Sequence, residues 1–92
     1  MHAVVSTVDI EPNRIEEATA LLPTDVIPPI QALPGFVRAT FLHELGASRG
    51  MSVVLFESEA DAKAAASQAG PPDGAPVTFT STLVYEVVAD TM

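Results

Sequence analysis

The 92-residue chain has no cysteine, no tryptophan, a single tyrosine, and only four basic side chains set against twelve acidic ones. The missing cysteine excludes a disulfide framework and thiolate chemistry. Arg14, Arg38, Arg49 and Lys63 are scattered rather than clustered, and the net charge is −8. Phosphate binding depends on grouped Lys and Arg, so nucleic acid is not an expected partner. Long hydrophobic runs are missing too, none approaching the roughly 18 residues of a membrane-spanning helix. The opening MHAVVSTVD carries neither the basic flank nor the apolar segment of a secretory leader. The expectation is a cytoplasmic protein with no membrane partner. His2 and His43, the only histidines, show no His-x-His or Glu-x-x-His spacing, so no metal site is expected.

Apolar residues, in contrast, are plentiful: 48% of the chain is hydrophobic and 17% charged. A chain this short buries only about 60–65% of its unfolded surface, so its core is small. One domain over residues 1–92 is expected, with part of its apolar surface meeting a partner.

From His2 to Ile10 β-branched residues alternate, His2, Val4, Ser6, Val8 and Ile10 against Ala3, Val5, Thr7 and Asp9, which predicts a first strand. Pro12 opens a helix at the position where a missing N–H is harmless, and Ile15, Ala18, Leu21 and Leu22 share one face of it. An interior proline costs a helix about 3 kcal/mol. A break near Pro23 is therefore expected, with a second short helix from Pro28 carrying Ile30 and Leu33 and ending at Pro34-Gly35. The second strand, Phe36 to Glu44, sets Phe36, Arg38, Thr40 and Leu42 opposite Val37, Ala39, Phe41 and His43. A Gly-punctuated loop leads to a third strand, Met51 to Glu57, apolar on both faces. Ser58 with Asp61 three positions on marks a helix start, followed by a slim Ala-rich helix. After the irregular run Gly70–Pro76, the last strand, Val77 to Ala89, puts Val77, Phe79, Ser81, Leu83 and Tyr85 in one phase. It is long enough to hold a bulge.

The order β-α-β-β-α-β is that of an α+β, ferredoxin-like sandwich with a four-stranded antiparallel sheet. Right-handed crossovers put both helical layers on one face. The other face then offers apolar residues (Val37, Ala39 and Phe41, or Val54 and Phe56, depending on phase) to a second copy of the chain.

The runs PGFVRATFLHE, MSVVLFES and EADAKAAA resemble the Pro-Gly-Phe, strand, strand, Glu-Ser, helix succession of the antibiotic-biosynthesis-monooxygenase family, within the dimeric α/β-barrel superfamily. The similarity spans nearly the whole chain. It implies a homodimer whose sheets form a barrel, with a ligand pocket between sheet and helices. It also implies activities that range from cofactor-independent quinone-forming oxygenation to haem degradation. In the haem-degrading branch an Asn in the first strand, a Trp in the second helix and a later His serve the haem. The matching positions here are Ser6 and Ala65, and no His follows His43. The polyketide-oxidising branch relies on Trp, Asn and Tyr, and Trp is absent. No cofactor is expected.

Tyr85 and His43 are the candidate catalytic residues. A buried phenol seeks a hydrogen-bond partner and can orient a phenolic ligand, although it can equally brace a core. Histidine suits proton transfer near neutral pH, although a strand-end His43 and a terminal His2 also have plain structural readings. Ser6, a hydroxyl on an apolar strand face, and Phe79 are expected to line the pocket. Arg38 is expected to hold an anionic ligand or to sit at a rim in a salt bridge. Glu57 and Glu86 are expected to pair with Arg at the dimer interface. The expected function is cofactor-independent oxidation of a small phenol or quinol by a homodimeric monooxygenase-like protein. The alternative is a non-catalytic dimeric module that binds a small apolar or aromatic molecule, or serves structurally.

Overall fold

In the computed structural model, which describes residues 1–91, the predicted strands form at nearly the predicted places: β1 (His2–Ile10), β2 (Phe36–His43), β3 (Arg49–Phe56) and β4 (Val77–Glu86). They make one four-stranded sheet in the order β2-β3-β1-β4, every neighbouring pair antiparallel. This is the ferredoxin-like arrangement.

The first helical layer does not break at Pro23. A 3-10 turn (Pro12–Arg14) leads into α1 (Ile15–Ala20), a π-helical turn (Leu22–Val26) and α2 (Ile27–Gln31). Pro23 has no N–H to return to the preceding turn, and the helix widens around it. The Leu21 carbonyl accepts from Asp25 N at 2.8 Å and from Val26 N, five residues on, at 3.2 Å. Widened turns of this kind absorb a disruption without ending a helix. Pro28 and Pro29 then fall in the first turn of α2, where their missing donors cost nothing. Leu33 lies beyond α2, which ends at Gln31.

Ser58 caps α3 (Glu59–Ser67), its hydroxyl accepting from Asp61 N at 3.1 Å. The alanines let this helix approach the sheet closely. Ala62 is fully buried against Val4, Val54 and Phe56, and Ile30, Leu33, Phe36, Ala39 and Val84 pack around that cluster. The preceding turn is as tight. Gly35 has φ +76°, and a Cβ there would lie 2.1 Å from the Asp61 carboxylate, so only glycine fits on both counts.

Two β-bulges decide which residues share a face. In β4 the pairing steps from Thr7↔Ser81 to Val8↔Phe79, leaving Thr80 as the extra residue. Its hydroxyl donates to the Thr7 carbonyl at 3.1 Å and so pins the bulge. In β2 the pairing steps from Arg38↔Leu55 to Phe36↔Phe56, leaving Val37 extra. A bulge reverses the in-out phase of everything beyond it. The predicted phase of β4 is therefore corrected: Val77 and Phe79 face the helices while Ser81, Leu83 and Tyr85 face the other way. Phe36 is likewise separated from Arg38, Thr40 and Leu42 and joins Ala39 and Phe41 on the helix side.

The face away from the helices is also corrected in content. Ala39, Phe41, Val54 and Phe56 all lie on the helix side, and the outer face carries Val5, Val53, Leu42, Met51, Leu83 and Tyr85. Leu42, Leu83 and Tyr85 are each about half exposed. Glu86 shares the row of His2 and Phe56, so it too belongs to the helix side rather than this face. After β4 the chain bonds Val87 N to the Met1 carbonyl at 2.9 Å, and Asp90 reaches Arg38 at 3.4 Å. Among the described residues no helix is long and apolar enough to cross a membrane.

Candidate functional site

The slimness of α3 and the widened turn at Pro23 leave room between the helices and the sheet. Alanine side chains contribute little bulk, and Gly70, Pro71 and Pro72 of the loop that follows α3 line both chambers. The result is a cleft of two adjoining chambers. The inner one, about 370 Å³, has Val4, Ser6, Val54 and Phe56 on its sheet side and Ile30, Leu33 and Ala65 on its helix side. The outer one, about 220 Å³, is lined by Val8, Ile10, Leu22, His43, Gly50 and Val77 among others. Phe41, Ser52, Phe79 and Val26 border both chambers. A volume of 300 Å³ or more is that of a small-molecule site.

Register places three hydroxyls side by side in this apolar setting. Ser6 of β1 is paired with Ser52 of β3 on one side and with Thr82 of β4 on the other. Ser6 is 3% exposed, and its Oγ lies 3.2 Å from Thr82 Oγ1. Each hydroxyl carries one donor and two acceptor positions, and that single mutual bond uses only part of them. The remaining capacity of Ser6 and Ser52 is available to a ligand oxygen or nitrogen, between the rings of Phe41 and Phe79. A buried polar group in an apolar chamber demands a partner, which makes the row selective as well as adhesive.

Of the five residues singled out from sequence, the structure brings three to the cleft. Ser6 is on the floor of the inner chamber and Phe79 on the wall between the chambers. His43 is at the outer chamber, exposed, with Nε2 2.7 Å from the Ala47 carbonyl oxygen. That contact makes Nε2 the protonated nitrogen and turns Nδ1 into the basic one. Tyr85 and Arg38 lie on the opposite face of the sheet, separated from Phe79 by the Thr80 bulge and from Phe36 by the Val37 bulge. Arg38 makes an ion pair with Asp90 there. His2 sits at the far end of the helix side, with Nε2 3.9 Å from Glu59 and a buried Nδ1.

Ser52, Phe41 and Asp25 were not legible as site residues, nor was Thr82 as the partner of Ser6. Ser52 and Thr82 were visible as hydroxyls on strands, yet only the register sets them beside Ser6. Asp25 and Val26 are consecutive, and the π-turn puts both on the inner chamber.

Among the described residues, Asp25 is the one carboxylate lining the cleft, and no Arg or Lys lines either chamber. All four basic side chains are engaged with carboxylates elsewhere: Arg14 with Glu11 and Glu17, Arg38 with Asp90, Arg49 with Asp9 and Glu44, Lys63 with Glu59. The hydrogen bond from Arg14 holds Glu17 below the ordinary carboxylate range, and that from Lys63 does the same to Glu59. Among the described residues, no three His, Cys, Asp or Glu side chains converge as a metal site.

The fold matches solved structures over the full length of the chain. The haem degrader MhuD from Mycobacterium tuberculosis, with two haems bound in its active site, superposes with a TM-score of 0.77 at 21% identity, covering 100% of both chains. A mutant of MhuD with two manganese protoporphyrin IX bound per active site gives 0.76 at 21% identity, covering 100% of this chain and 99% of that one. The haem-free form of the Mycobacterium tuberculosis haem-degrading protein gives 0.63 at 24% identity, again over 100% of both chains. No protein-family model and no curated protein matches the sequence. The resemblance expected from PGFVRATFLHE and MSVVLFES holds at the level of fold: the chain has the ferredoxin-like fold, with its four-stranded antiparallel sheet, that MhuD has.

Proposed function

We propose that this protein is a homodimeric oxidoreductase that binds a small aromatic molecule bearing an oxygen handle in the cleft and oxidises it with molecular oxygen. The observation that carries this reading is the Ser52–Ser6–Thr82 hydroxyl row set among Phe41, Phe79 and aliphatic side chains. Aromatic walls take the ring, and the hydroxyls take its oxygen.

An electron-rich phenol with an activated methylene reacts with oxygen once deprotonated. The methylene carbon forms a bond to oxygen, the O–O bond then breaks, and CH2 plus O2 becomes C=O plus water. The protein's share in this is shape, exclusion of water and a proton acceptor. On this reading His43 Nδ1, at the outer chamber, accepts the proton. Ser6 and Ser52 hold the substrate oxygen, and Phe79 packs on the ring.

A haem fits the cleft poorly. Haem iron takes an axial imidazole, thiolate, thioether or phenolate, and the inner chamber presents none of these. In the outer chamber His43 bonds the Ala47 carbonyl through Nε2, which leaves Nδ1, on an exposed strand end, as the one imidazole nitrogen open to a metal. The Met51 thioether belongs to the outer-face phase of its strand. The propionates would find no cation in the lining.

The second copy is proposed to cover the outer sheet face, where Leu42, Met51, Leu83 and Tyr85 stand exposed on strands. On this reading Tyr85 and Arg38 belong to the interface rather than to the chemistry. Sedimentation at micromolar concentration tests it, and a monomer contradicts it.

The test of the activity is oxygen consumption with a panel of anthrones and quinols. Uptake that falls on Ser6→Val or His43→Ala supports the oxidation. Saturable binding without uptake leaves a binding module of the same fold, a reading favoured by the exposure of His43 and the lack of a buried base.

A further inference from the structure

We infer that the cleft selects against anionic ligands and takes an uncharged or cationic aromatic, with Asp25 as the residue that reads charge. The inference rests on the reading of the cleft as an aromatic-binding site and adds the ligand's charge class. Three observations carry it. Among the described residues the lining holds Asp25 and no Arg or Lys, its one imidazole being His43 at the exposed end of the outer chamber. Arg14, Arg38, Arg49 and Lys63 are each paired with carboxylates away from the cleft, so no cation is free to follow an anion in. The chain as a whole carries a charge of −8, so the surrounding field opposes the entry of a carboxylate or phosphate as well.

The energetics point one way. An unpaired anion loses its hydration on entering an apolar chamber, where the hydroxyls of Ser6 and Ser52 replace only part of it and no cation replaces the rest. A neutral hydroxyl finds its hydrogen bonds at Ser6 and Ser52. An ammonium group gains in addition the attraction of Asp25, which the widened turn at Leu22–Val26 sets on the inner chamber. Asp25 is exposed, so its attraction is that of a partly solvated charge and amounts to a factor of a few in affinity.

The experiment is a fluorescence titration of the whole protein at neutral pH and low salt with three probes of one ring system: 2-naphthol, 2-naphthylmethylammonium and 2-naphthoate. The expected order places the naphthol and the ammonium together, with the naphthoate about tenfold or more weaker. In Asp25→Asn the ratio of ammonium to naphthol affinity falls about three- to tenfold, and in Asp25→Lys the naphthoate gains on both. Naphthoate binding within twofold of naphthol in the unmodified protein overturns the inference, as does an ammonium-to-naphthol ratio that Asp25→Asn leaves unmoved. If none of the three probes binds, the aromatic-site reading itself fails and this inference falls with it. Binding of naphthol with no charge discrimination overturns the inference alone.

Discussion

The guanidinium of Arg38 on β2 lies 3.4 Å from the carboxylate of Asp90, although β2 and β4, which the tail follows, are the two opposite edges of the sheet. The tail therefore crosses one end of the outer face. Arg38, Leu55, Ala3 and Tyr85 form the cross-strand row there. Its two middle members, Ala3 and Leu55, are 6% and 7% exposed on a face where Leu83 is 53% exposed. Arg38→Ala is expected to cost less than about 1 kcal/mol, since the guanidinium is about half exposed and the contact is long. The same change is expected to speed proteolytic removal of the tail. Limited proteolysis followed by mass spectrometry checks both the site and the rate.

The Thr80 hydroxyl holds the β4 bulge by its bond to the Thr7 carbonyl. Thr80→Val keeps the shape and removes the donor, with an expected loss of about 0.5–1.5 kcal/mol in urea unfolding. Deleting Thr80 is a different experiment. It joins Phe79 directly to Ser81 in an unbulged ladder, so Val77 and Phe79 keep the helix side and probe binding is expected to persist in the fraction that folds.

Gly50 pairs with Val8 and His43, and its missing side chain makes space in the outer chamber. A Cβ there would meet the Leu42 carbonyl oxygen at 3.0 Å and a Val8 methyl at 3.3 Å. Backbone on one side and a packed methyl on the other leave little room to yield. Gly50→Val is expected to destabilise by about 1–3 kcal/mol. Thermal melts of the two proteins, read at matched concentration, give the comparison.

Ser6 and Thr82 bond to each other at 3.2 Å in the cleft floor. Ser6→Ala leaves the Thr82 hydroxyl without that partner and is expected to cost about 1–3 kcal/mol, whereas Ser6→Ala with Thr82→Val recovers part of the loss. The double-mutant cycle reads the coupling directly. The same variants are expected to weaken 2-naphthol more than naphthalene, because only the former uses the hydroxyls.

Glu17 and Glu59 are depressed chiefly by hydrogen bonds from Arg14 and Lys63 respectively. A carboxylate lowered in the fold stabilises fully above its unfolded pKa of about 4.5 and loses that contribution as pH falls through the lower folded value. Both pairs are at the surface, so salt screens them. The urea midpoint is therefore expected to fall on acidification below about pH 4.5, less steeply in Glu59→Gln and less steeply in high salt. Equal slopes for the two proteins at low salt contradict the assignment.

The elements of the fold were legible because they rest on local chemistry. Alternation in His2–Ile10, the cap at Ser58 and the turn at Gly35 all act within a few residues, and each appears where the sequence places it. The faces were not legible, because a bulge is a relation between two strands. Nothing near Thr80 or Val37 announces that the partner strand will skip it, and with that skip Tyr85 parts from Phe79. The break expected at Pro23 failed for a related reason. A missing N–H states that a helix is disturbed, while the bonds from Asp25 N and Val26 N to the one Leu21 carbonyl carry it on as a wider turn. Ser6 reached the cleft because β1 runs without a bulge, and Phe79 because the skipped residue is Thr80, which brings Phe79 into the phase of Val8.

Both bulges fall on β2 and β4, the strands with an unpaired edge. A kinked, locally overtwisted edge is a poor template for another strand. Lateral growth of the sheet is thus hindered at both sides, while its flat outer surface remains apolar. Self-association that can proceed only face to face stops at a closed pair, so a chain this rich in apolar residues is steered away from fibrils by two single-residue irregularities.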